Sequence, residues 1–240
     1  MAHHVGTSGW SYDHWGGLLY PAGAPGLKRL DAYAARFGTV EVNNTFYRWP
    51  KPPVFANWRD RVPADFVFTI KASRGLSQFR KLNDPDAWLE RMAEGVRELG
   101  PKLGVLLVQL PPHFPVNLAR LEAFLPRVPS GLRVAMEFRH PSWDRGDVYD
   151  ALGHAGAAYC VMSGAGLPCV LRATAPFVYV RLHGPAAHLY GGSYSDDDLR
   201  WWADRVREWE GQGREVFAYF NNDGHGHAVR NAETLASLLG

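Results

Sequence analysis

Apolar and polar residues alternate through Thr39-Val40-Glu41-Val42-Asn43. A strand there sets Glu41 and Asn43 on one face and Val40 and Val42 on the other. A carboxylate in such a run is costly unless it is paired or used. The pattern recurs along the chain. Phe66–Ala72 places Thr69 and Lys71 in phase, Arg133–His140 does the same for Glu137 and Arg139, and Phe177–Gly184 for Arg181 and His183. Leu103–Pro111 is almost wholly apolar, as a strand buried on both faces should be, with Gln109 as its polar end. Glu215–Asp223 ends in Asn221 and Asn222, and Val5–Trp10 and Ala157–Met162 complete a set of eight predicted strands.

Helical spacing fills most of the gaps. Leu27, Leu30, Tyr33, Ala34 and Phe37 recur at three and four, with Gly38 as a stop. Further helices are predicted over Val54–Val62, from an Asp84-Pro85 start to Leu99, over Leu118–Val128 and Val148–Ala155, from Ser195 to Gly211, and over Ala228–Leu239. No clear helix follows the sixth strand. Connections longer than hairpins make the pairing parallel, which places the chain in the α/β class. Eight such units predict a (β/α)8 TIM-type barrel over 1–240 as one domain, irregular around the sixth βα unit, with its chemistry at the C-terminal strand ends.

Composition narrows the partners. The chain is 46% hydrophobic and 21% charged with a net charge of +2, too small to point to nucleic acid by bulk electrostatics, so any anion preference must be local. Cys160 and Cys169 are the two cysteines and form no CxxC, which argues against a disulfide framework or structural zinc and fits a cytoplasmic protein. No leader and no membrane-spanning run is read, and His3 and His4 are expected to be solvated.

The candidate site gathers the in-phase polar residues at the barrel mouth. Glu41, Glu137 and His183 are the candidate catalytic groups, by carboxylate and imidazole acid–base chemistry. Asn43, Lys71, Gln109, Arg139, Arg181, Asn221 and Asn222 are candidate substrate-binding groups, joined by Tyr47, Trp10 and Tyr12 from aromatic loops suited to stacking on rings. Three cations against two carboxylates leave a local positive surplus, which a phosphate or carboxylate would satisfy. The backbone amides of Asn222–Gly226, ahead of the last helix, are a further place for phosphate. The competing reading of the same charges is ion pairing for stability, Glu41 with Lys71 or Glu137 with Arg139. Glu41, Glu137, His140 and His183 are potential metal ligands, but the neighbouring cations oppose a divalent ion, so no metal and no cofactor is expected.

Six segments together, Gly6–Tyr12, Val40–Tyr47, Gln109–Pro112, Glu137–His140, Arg181–Gly184 and Tyr219–Asp223, resemble the domain of unknown function 72 family. The resemblance runs from about Val5 to Leu239 and implies a TIM-barrel-like fold. Through a likeness to endonuclease IV-type barrels it also implies a lead toward phosphate or nucleic acid, without a reaction. Two positions depart from the family pattern. Ser77-Gln78 stands where relatives often carry Thr-His, and Ser163 where they often carry Asp, so Gln78 and Ser163 bear on whether this member is active.

Three functions are therefore expected. The first is an enzyme acting on a phosphate-bearing or other anionic substrate, as a phosphodiester or sugar-phosphate hydrolase. The second is a non-catalytic protein binding nucleic acid or another anionic ligand. The third is a sugar-phosphate isomerase or lyase, since a lysine beside a carboxylate also suits carbonyl chemistry.

Overall fold

The computed structural model describes residues 3–164, 166–186 and 190–240. Eight parallel strands pair in chain order and close: β1 (His3–Ser8), β2 (Thr39–Val42), β3 (Val67–Lys71), β4 (Leu103–Gln109), β5 (Val134–Glu137), β6 (Ala158–Ser163), β7 (Phe177–Leu182) and β8 (Glu215–Phe220), with β8 returning to β1. Outside them lie α1 (Gly26–Ala34), α2 (Pro52–Arg61), α3 (Asp86–Arg97), α4 (Leu118–Phe124), α5 (Gly146–His154), α6 (Asp196–Gly211) and α7 (His227–Leu239). Among the described residues no helix stands between β6 and β7, so the sixth unit is irregular as the missing periodicity there predicts. No described helix is long and apolar enough to cross a membrane.

Strand parity decides what lies inside. One parity faces the helices and forms an outer core with, among others, Val40, Val42, Phe68, Val108 and Phe220. The other parity fills the barrel with Val105, Leu107, Ala135, Cys160, Tyr179, Phe217 and Tyr219. Above that apolar plug the same parity brings up the charged residues of the mouth. The registers Ser8↔Glu41, Gln109↔Glu137, Met162↔Arg181 and Arg181↔Tyr219 set their relative heights.

Three local expectations are corrected. His3 and His4 belong to β1 and are half-buried: His3 Nδ1 lies 2.9 Å from Glu210 Oε1, and His4 Nε2 lies 2.8 Å from Glu215 Oε1. Pairing with β8 extends the strand two residues before Val5, where the alternation is too short to read. Asp84 does not cap α3. It sits at φ +43°, a conformation that Asp tolerates better than most residues, and Pro85 takes the cap position. Strand β5 ends at Glu137, so Arg139 and His140 lie in the loop that follows, where the chain turns into Pro141–Trp143.

Candidate active site

Arg181 lies at the centre, fully buried on β7. Its Nε donates to Glu41 Oε2 at 2.9 Å, its Nη2 to Glu41 Oε1 at 2.7 Å and its Nη1 to Glu137 Oε2 at 2.5 Å. One guanidinium thus clamps both carboxylates, using the planar fork that a lysine lacks. Glu41 also accepts from Ser8 Oγ at 2.5 Å and from Tyr179 OH at 2.6 Å. Glu137 accepts from Arg139 Nε at 2.6 Å. Every carboxylate oxygen is therefore occupied. Burial acts to raise both carboxyls, but Arg181 outweighs it and holds both below the ordinary range, with Arg139 assisting at Glu137. The ion-pair alternative is realised for Glu137 with Arg139, whereas Glu41 pairs with Arg181 and not with Lys71.

Lys71 closes the end of β3 beside this network without joining it. Among the described residues its Nζ forms no ion pair or hydrogen bond, and it lies 4.5 Å from the centre of the Phe46 ring. The carboxylates that would neutralise it are already taken by arginines. Burial, reinforced by Arg181, pulls the Lys71 ammonium down to about 7. His183, just beyond β7, is driven well below its ordinary value by burial and then by Arg181, so at neutral pH it is uncharged. Asn221 Nδ2 donates to His183 Nδ1 at 3.2 Å. A neutral ring that accepts at Nδ1 carries its proton on Nε2, and Nε2 has no partner among the described residues. The side-chain oxygens of Asn43 and Gln109 are likewise buried and unpartnered. Arg139 reaches the Tyr190 hydroxyl at 3.4 Å, and the Tyr190 ring meets His183 edge-on at 5.6 Å.

A cleft of about 390 Å³ adjoins the mouth, lined by Trp10, Tyr12, Asn43, Asn44 and Tyr47 among others. Trp10 packs edge-on against Trp58 at 5.3 Å, and the Tyr12 hydroxyl donates to Ser8 O at 2.6 Å. Both residues are braced walls of the cleft, while Tyr47 is 69% exposed at its rim. Glu41, Asn43, Lys71, Gln109, Glu137, Arg139, Arg181, His183 and Asn221 thus gather at one end of the barrel. Asn222 does not join them. It has the opposite parity, is buried behind β8, and donates to Gly192 O at 3.0 Å and Asn231 Oδ1 at 2.8 Å.

The turn after β8 is a short 3-10 segment, Gly224–Gly226, preceded by the Asp223 carboxylate. Trp15 Nε1 donates to Asp223 at 2.6 Å, and His14 lies 3.1 Å from it. A carboxylate therefore stands beside the amides expected to hold phosphate. Gln78 donates to Gln109 O at 2.6 Å, and Ser163 accepts from Tyr194 OH at 3.1 Å, so both departures from the family pattern brace the rim. Ser8 and Tyr179, which fix Glu41, went unmarked in the sequence. Tyr179 has the parity of Arg181, the one signal that points to it. Among the described residues no group of three or more His, Cys, Asp or Glu is arranged to hold a metal ion.

A family model described as "Protein of unknown function DUF72" matches residues 4–240. The chain is similar to the UPF0759 protein YunF of Bacillus subtilis, at 28% identity over 98% of this chain and 94% of that protein. It is 32% identical to the UPF0759 protein YecE of Escherichia coli over 58% of this chain and 49% of that protein. Among solved structures, a DUF72 family protein of Thermotoga maritima superposes with a TM-score of 0.89 at 29% identity, covering 100% of this chain and 99% of that one. A DUF72 family protein of Enterococcus faecalis superposes with a TM-score of 0.86 at 20% identity, covering 99% and 95%, a likeness that bears on the fold alone. None of these names carries a reaction or a ligand.

Proposed function

Because the chain belongs to the DUF72 family, whose name assigns no reaction, we propose its function from the chemistry of the mouth: an enzyme that holds a small phosphate- or carboxylate-bearing substrate and moves protons on it with Lys71 and His183. One observation carries this reading. The two carboxylates are matched by the two guanidiniums of Arg139 and Arg181, so a protonated Lys71 is a cation in excess at a barrel mouth. An anionic ligand supplies the missing negative charge, and Arg139, at the edge of the network, is the group best placed to meet it.

Glu41 and Glu137 serve this function by position. With their oxygens engaged and their carboxyls held low, they keep Arg181 and Arg139 in place and are poor proton acceptors near neutral pH. Proton transfer then falls to Lys71, poised near neutrality, with the His183 Nε2–H as donor to a developing oxyanion. Such a set suits both hydrolysis of a phosphate ester and proton shuffling beside a carbonyl.

Calorimetric titration with inorganic phosphate tests the reading. Phosphate is expected to bind, and Arg139→Met to weaken it by about tenfold or more, the loss typical of a charge-assisted contact. Undetectable binding by the unaltered protein would refute it. A second reading, nucleic-acid binding without turnover, is favoured by Tyr47 and Phe79, which are 69% and 72% exposed. Arg74 lies between them, at 5.7 Å and 5.5 Å from their ring centres. Salt-dependent binding of a labelled single-stranded oligonucleotide, weakened by Arg74→Ala and giving no product, would select it.

A further inference from the structure

Lys71 differs chemically from the other charged groups of the mouth. The chain has five lysines. Lys102 donates to the carbonyl oxygens of Arg59 and Val62 at 2.7 Å and 2.8 Å, and Lys28 and Lys51 are exposed to solvent. Lys71 is half-buried at the strand end with an aromatic face on one side, the charges of Arg181, Glu137, Glu41 and Arg139 within electrostatic range, and no ion pair of its own among the described residues. A buried amine next to other cations is a nucleophile, because its free lone pair is favoured over the ammonium. Beside it stands a neutral imidazole whose Nε2–H has no acceptor among the described residues.

We propose that Lys71 forms an imine with a carbonyl substrate that also bears a phosphate or carboxylate, the oxygen being received by His183 Nε2–H and the anion by Arg139. The proposal rests on the anion-binding reading above and names its substrate class. In the first step the Nζ lone pair bonds to the carbonyl carbon, and the π pair moves onto oxygen, where the His183 Nε2–H hydrogen bond steadies it. The nitrogen sheds a proton and the oxygen gains one, giving a carbinolamine. The nitrogen lone pair then expels that oxygen, protonated again, as water and leaves a C=N iminium. No electron is gained or lost, so no redox partner is needed. An iminium withdraws electrons from the neighbouring carbon, the requirement shared by isomerases and lyases of this chemistry. The near-neutral Lys71 is the state this step requires at physiological pH.

Glyceraldehyde 3-phosphate and glyceraldehyde are the probes, each incubated with the intact protein at pH 7 in the presence of cyanoborohydride. The five lysines are then mapped by peptide mass spectrometry. Glyceraldehyde 3-phosphate is expected to modify Lys71 at least about tenfold faster than the solvent-exposed Lys28 or Lys51. Inorganic phosphate should suppress that labelling, and Arg139→Met should reduce it. Lys71→Arg, which puts a non-nucleophilic cation in its place, should abolish labelling at that position. Labelling of Lys71 no faster than of Lys28, with phosphate binding intact, would overturn the imine and spare the anion-binding reading. Fast labelling by glyceraldehyde that phosphate neither accelerates nor blocks would uphold an amine nucleophile and overturn the anion-binding reading together with the substrate class.

Discussion

The two ends of this barrel are both polar, and they differ in how completely that polarity is matched. At the N-terminal end, Glu215 bonds to His4 and to Arg133, and His3 reaches Glu210. These groups are partly exposed, and Arg214 Nε, just ahead of β8, is buried there without a partner among the described residues. Phe177 and Phe217, with Arg133 over both rings, seal the interior above them. At the C-terminal end the ions are buried, and the network closes around Glu41, Glu137 and Arg181 yet leaves Lys71, His183 Nε2, Asn43 Oδ1 and Gln109 Oε1 unmatched among the described residues. Charge inside a barrel is therefore a weak sign of function. Several unsatisfied buried polar groups gathered at one mouth are the stronger one, since single ones such as Arg214 Nε and Arg205 Nε occur elsewhere.

The largest break in this comparison should come from Arg181→Met. It strands two buried carboxylates at once, and removing one partner of a buried ion network costs about 3–5 kcal/mol. Urea denaturation should report a loss in that range. A loss below about 1 kcal/mol would mean that Glu41 and Glu137 find other partners, and the clamp would lose its central place. The acid limb of the stability curve should follow the same groups. Both carboxyls sit below their unfolded values, so their contribution is full above the ordinary carboxylate range and fades as the pH falls through and below it.

Lys71 should add a slope of the same sign from the opposite cause, a charge penalised by the fold instead of one favoured by it. Its folded value of about 7 lies below the ordinary 10.5, so between those limits the unfolded chain holds the extra proton and stability rises with pH. Below about 7 the folded protein carries the full cost of a buried ammonium. Lys71→Met should remove this dependence and stabilise the protein at neutral and lower pH, by on the order of a few kcal/mol at most. Parallel pH–stability curves for variant and parent between pH 7 and 10 would show that Lys71 is solvated and carries no such cost.

Strand parity made most of the candidate residues' gathering at one mouth legible in advance. Glu137 with Arg139 and Arg181 with His183 stand two residues apart, and in a closed parallel barrel that phase decides which side chains meet. The same rule places Asn222 outside the mouth, because a shift of one residue sends a side chain to the other face. Pairing identity was not legible. Whether Glu41 meets Lys71 or Arg181 depends on the stagger between strands distant in sequence, which no local pattern encodes. The half-buried state of His3 and His4 was hidden for a related reason: β1 gains its first residues from pairing with β8, more than two hundred positions away.

The smallest effect is expected at the N-terminal end, and it is the one that sharpens the contrast most. Glu215 has about a third of its side chain exposed, as has Arg133. Exposed pairs of this kind contribute roughly 0–1 kcal/mol, because water competes for both partners and the side chains lose freedom in pairing. Glu215→Gln keeps the shape and can still accept from His4, so it should cost no more than about 1 kcal/mol and leave the phosphate binding proposed for the mouth unchanged. The apolar plug of Val105, Leu107, Ala135 and Cys160 lies between the two ends and holds no charge to relay a change. A Glu215→Gln variant that altered phosphate affinity by about tenfold or more would show that the two ends are coupled through the barrel. The mouth could then no longer be treated as a site whose chemistry is set by its own residues.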